Sequence, residues 1–70
     1  MSREDVQRIA EAALKKTVEE FGLRQYAVVV IVRELPFAGL PINVATNITS
    51  GAGDVLRVVR EAVDAIRGGA

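Results

Sequence analysis

Ser50-Gly51-Ala52-Gly53, followed by Asp54, is the stretch whose residue types and spacing come nearest to a chemical site. Glycines let a ligand approach the backbone closely, and N–H groups at the start of a helix can hold a phosphate or a carboxylate. The spacing stops short of the known phosphate-binding loops. There is no third glycine at the dinucleotide spacing and no Lys after the loop, and Asp54 already places negative charge where an anion would sit. A helix cap by Ser50 or Asp54, with the glycines making the turn, accounts for the same residues. A small anionic ligand held by Ser50, Gly51, Ala52 and Gly53 at the helix N-terminus is therefore the alternative reading of function, not the first.

Other chemistry has few groups to draw on. The chain has no His and no Cys, which removes the commonest general base and metal ligand, the thiol nucleophile and any disulfide. Glu34, Asp54, Tyr26, Ser50 and the pair Lys15-Lys16 are left, and they form no catalytic motif. Asn43, Asn47 and Thr49 recur along one strand as a hydrogen-bonding face, but amides activate nothing by themselves. The expectation is a protein that is not an enzyme and uses no metal or cofactor.

Nine basic and nine acidic residues give zero net charge, split six against six up to residue 35 and three against three after it. Phosphate backbones need clustered Lys and Arg, and single strands need exposed aromatics; this chain has one Tyr, two Phe and no Trp. Nucleic acid and membrane surfaces are not expected partners. The mixed charges of residues 1–20 do not read as a secretory signal, and the apolar run Tyr26 to Val32 is too short to span a bilayer. A cytoplasmic location is expected.

The elements that must position these residues follow from periodicity. Val6, Ile9, Ala10, Ala13, Leu14, Thr17, Val18 and Phe21 recur at helical spacing, and Ser2 with Asp5 reads as a capping box. Gly22, then Leu23, reads as a left-handed cap. Gln25 to Glu34 carries the β-branched run Val28 to Val32 and reads as a strand with two apolar faces: Ala27, Val29 and Ile31 on one, Tyr26, Val28, Val30 and Val32 on the other. Leu35 to Gly39 has the Pro and Gly of a hairpin loop. From Leu40 to Thr49 the pattern alternates, with Leu40, Ile42, Val44, Thr46 and Ile48 as the apolar side. Val55, Val58, Val59, Ala62, Val63 and Ile66 then make the stripe of a second helix, ended by Gly68-Gly69.

This order predicts one α+β domain over residues 1–70, α-β-β-α, an antiparallel hairpin with both helices on one face. Two strands make a poor sheet alone, and the half of the composition that is apolar exceeds what so short a chain buries easily. A homodimer with a four-stranded sheet is expected, with Tyr26, Val28, Val30 and Val32 as the candidate interface.

Ile42-Asn43-Val44-Ala45-Thr46-Asn47, followed by Asp54-Val55-Leu56 and Arg57-Val58-Val59-Arg60-Glu61-Ala62, resembles a pattern in small prophage-type proteins of uncharacterised role. In those a strand ending in Ser-Asn or Thr-Asn leads into an amphipathic helix. Gly51-Ala52-Gly53 lengthens the loop relative to that pattern. The resemblance implies a phage or mobile-element origin and no activity. The function expected is a non-enzymatic module for protein interaction and self-association.

Overall fold

The computed structural model describes residues 2–35 and 42–68. Its elements run α1 (Arg3–Glu20), β1 (Val29–Val32), β2 (Asn43–Thr46) and α2 (Ala52–Gly68), the expected α+β, α-β-β-α order. The hairpin loop around Pro36 to Gly39, the start of strand two at Leu40 and Pro41, and Gly69 lie outside the described residues.

Both ends of α1 follow the sequence closely. The Ser2 hydroxyl accepts from the Asp5 N–H at 3.2 Å, and the Asp5 carboxylate accepts from the Ser2 N–H at 3.3 Å, a reciprocal capping box. At the other end Gly22 takes φ +65, and the Leu23 N–H reaches back to the Val18 carbonyl at 2.9 Å. That bond is the signature of a Schellman cap.

β1 is shorter than its apolar run. The chain makes a second turn, closed by the Tyr26 N–H on the Leu23 carbonyl at 3.0 Å, before it extends. Tyr26 therefore precedes the strand, at 65% exposure. β1 and β2 pair antiparallel, Val29 with Thr46, Val30 with Ala45, Ile31 with Val44 and Val32 with Asn43. Cross-strand partners share a face, so Val30, Ala45, Val32 and Asn43 lie on one side and Val29, Thr46, Ile31 and Val44 on the other.

Which side is covered reverses the expectation for β2. Asn43 and Ala45 are buried, each 6% exposed, while the apolar Ile42 and Val44 are open. The cause lies in α1, which packs on both strands. Ala10 of α1 is wholly buried, and small side chains at Ala10 and Ala45 let helix and strand approach closely. Asn43 tolerates burial because its amide donates to the Arg3 carbonyl at 3.0 Å and to Gln7 Oε1 at 3.2 Å. The covered stripe of α1 is accordingly centred on Gln7, Ala10, Leu14 and Thr17, and Ile9 is turned halfway into solvent.

α2 is different. It makes only marginal contact with the other elements and buries none of its residues. The packing on the hairpin is carried by α1, and the stripe of α2 runs from half-buried Val55, Val58 and Val59 to an Ile66 that is 78% exposed.

Candidate functional site

The loop before α2 is built as a helix start. Gly51 sits at φ +131, where a side chain would be strained, and its carbonyl accepts from the Asp54 and Val55 N–H groups at 3.2 and 3.4 Å. The Ser50 hydroxyl donates to the Asp54 carboxylate. That carboxylate thus lies in the first turn, where the helix dipole already favours negative charge. Ser50 and Asp54 line an open groove of about 480 Å³ with Ala27, Ile48, Arg57, Val58 and Glu61. Its one guanidinium is paired with Glu61 at 3.7 Å, so an incoming anion meets a surplus of carboxylate. Ser50, Gly51, Ala52 and Gly53 are all exposed, and the geometry favours a cap over an anion cradle.

The groups weighed for catalysis stay apart. Lys15 and Lys16 are exposed on α1, Tyr26 is exposed in the turn before β1, and Glu34 is exposed beyond its end. Among the described residues no cluster of three acidic side chains is placed to hold a metal, and no helix is long and apolar enough to cross a membrane.

The strand amides have a structural use. Asn47 Oδ1 accepts from the Val28 N–H at 2.8 Å, and Asn47 Nδ2 donates to the Tyr26 carbonyl at 2.8 Å. Its amide thereby acts as one more peptide unit, extending the ladder past the end of β2. Thr46 Oγ1 donates to the Val28 carbonyl at 2.8 Å and accepts from the Ile48 N–H at 3.1 Å. Thr46-Asn47 is a clasp that fixes where the hairpin ends.

The two outer edges of the sheet are unequal. The Asn47 N–H bonds the Val28 carbonyl at 3.4 Å, which marks residues 28 and 47 as a bonded pair. Bonded and non-bonded pairs alternate in an antiparallel ladder, so the backbone groups of Val29 and Ile31, and of Val44 across from them, point outward. On the β2 edge, Gln7 Nε2 covers the Val44 carbonyl at 2.9 Å. Sequence reasoning missed this role of Gln7; its only signal is its place on the Arg3, Gln7, Ala10, Leu14 line of α1. No such cover is seen on Val29 or Ile31 among the described residues.

Of the candidate interface residues, Val28, Val30 and Val32 are half-buried on the side that α1 covers, and Tyr26 lies outside the strand. The apolar side chains left open on the sheet are Ile31, Ile42 and Val44. Leu56, Val63 and Ile66 of α2 are open as well. No family model, curated protein or solved structure matches this chain.

Proposed function

We propose that this protein is a small non-enzymatic association module, which works by burying its apolar surface against another protein chain, first of all a second copy of itself. The observation that carries the reading is the size of the core. Among the described residues the buried apolar side chains are two alanines, Ala10 and Ala45, and no large side chain is fully buried. Each of these alanines removes little apolar surface from water, far less than a buried Leu or Ile at about 1.5–3 kcal/mol. Small domains with so small a core commonly add a disulfide, a metal or an oligomer; with no cysteine and no histidine in the composition, association is the stabiliser these residues favour.

An accessory role for a phage or mobile element, in the cytoplasm, is the setting that the resemblance of Ile42 to Ala62 supports. Sedimentation equilibrium at low micromolar concentration tests the reading. The expected mass is a multiple of the 7.5 kDa chain, with a thermal midpoint that rises with concentration. A lone 7.5 kDa species with a concentration-independent midpoint overturns it.

A further inference from the structure

Resting on that reading, we infer that the second copy adds to the outer edge of β1, about a two-fold axis through Val30, giving a four-stranded antiparallel sheet whose open faces join into one apolar surface that the two α2 stripes cover. Three observations lead there.

The first is the open apolar surface. Ile31, Ile42 and Val44 beside the sheet edge and Leu56, Val63 and Ile66 on α2 all stand exposed, more apolar surface than the edge of a four-residue strand covers by pairing alone.

The second is the choice of edge. A new strand at β2 would have to displace Gln7 from the Val44 carbonyl. Among the described residues a new strand at β1 meets no such cover at Val29 and Ile31, and the segment carries none of the usual edge protections: residues 27–32 contain no charge and no proline. Two copies of this segment oppose no like charges.

The third is register. Only outward-facing residues can bond across the new edge, and in β1 those are Val29 and Ile31. An axis through Val30 sets Val29 against Ile31 of the second copy and Ile31 against its Val29, so both find partners within the strand. An axis at Val29 or Ile31 satisfies only one of them there. Val30 then faces its own copy as a non-bonded pair, where Cα atoms are ~4.5 Å apart. Both copies of α1 fall on one side of the sheet. Ile31 and Val44 of both copies merge on the other, where Ala27 and Ile48 already share a groove with the first turns of α2.

The pairing is tested by cross-linking. Because the chain has no cysteine, Val30→Cys introduces a single thiol, and the spacing above suits a disulfide. Mild oxidation should convert most of Val30→Cys to a covalent dimer, with Val44→Cys remaining uncoupled. Amide exchange on the unsubstituted chain needs no variant. The Val29 and Ile31 N–H groups should be protected, and more so at higher concentration. Ile66→Glu should weaken the dimer at least tenfold if the α2 stripe is inside the interface. A dimer by sedimentation whose Val29 and Ile31 amides exchange freely, or which cross-links at Val44 and not at Val30, overturns this arrangement and leaves association standing. An unchanged dimer in Ile66→Glu overturns the part given to α2. A monomer by sedimentation overturns both readings.

Discussion

α1 and α2 are nearly equal in length, 18 and 17 residues, and both are amphipathic, yet only one of them is packed. α1 presents a covered stripe that mixes Leu14 with small and polar groups, and the hairpin accepts it: Ala10 and Ala45 are buried, and Gln7 and Asn43 are bonded across the gap. α2 presents the more apolar stripe, and the chain gives it little to cover. Apolar content alone therefore does not decide which helix is buried within a chain. Small side chains and satisfied polar groups at the contact do, and the surplus apolar face stays open in the single chain.

The largest test of this contrast sets Ala10→Glu against Ala62→Glu. Ala10 has no exposed surface, and a carboxylate placed there without a partner costs several kcal/mol, as much as a small domain has. Circular dichroism should show Ala10→Glu unfolded at every concentration. Ala62, exposed on α2, should yield a chain that folds but associates less. Equal damage from both would mean that α2 is as firmly packed within the chain as α1.

Next in size is the clasp. Asn47→Ala removes the partners of the Val28 N–H and the Tyr26 carbonyl, at roughly 1 kcal/mol each, and should lower the thermal midpoint by about 10 °C. Asn47→Asp keeps the acceptor for Val28 and loses only the donor to Tyr26, so it should recover about half of the loss. If Asn47→Ala leaves the midpoint unchanged, the hairpin end is held by something other than this amide.

Much of the architecture is legible in the residues. Ser2 and Asp5 announce the start of α1, Gly22 with Leu23 announces its end, and the β-branched run and the later alternation give the two strands. The side of β2 that is buried is not legible, because alternation identifies two faces but cannot weigh them. Ile42 and Val44 outrank Asn43 and Ala45 in apolarity, and only the bonds of Asn43 to Arg3 and Gln7, made across 36 or more residues, reverse the order. Tyr26 looks like strand because composition does not reveal the extra turn back to Leu23. The candidate site was legible only as a surplus of apolar surface; the unequal edges depend on Gln7, whose reach to Val44 is a tertiary fact.

The caps give a smaller comparison. Ser2→Ala removes one half of the box at α1 and should destabilise by about 1 kcal/mol. Gly51→Ala meets no neighbour within 4 Å, so its effect is backbone strain alone, also about 1 kcal/mol. The two should separate in kind. Loss from Ser2→Ala should be the same at all concentrations, since α1 is packed in its own chain. If α2 is ordered against a second copy, as proposed, loss from Gly51→Ala should be felt chiefly through association. Chemical denaturation at two protein concentrations distinguishes them.

The smallest effect belongs to the Arg57–Glu61 pair, 3.7 Å apart and largely exposed. On a free helix surface such an i, i+4 pair contributes about 0.3 kcal/mol, and salt screens it. Glu61→Gln should therefore be almost silent, with that small difference disappearing at high ionic strength. The same two side chains line the groove beside Ala27 and Ile48, on the face of the sheet away from α1, where the proposed dimer would join the open faces of both copies. If association closes that groove, the pair loses solvent, and the cost of removing one partner rises toward that of a buried ion pair. An effect above about 1 kcal/mol that grows with protein concentration would place α2 and this groove inside the interface; an effect that stays at the free-helix value would leave the groove open at its rim.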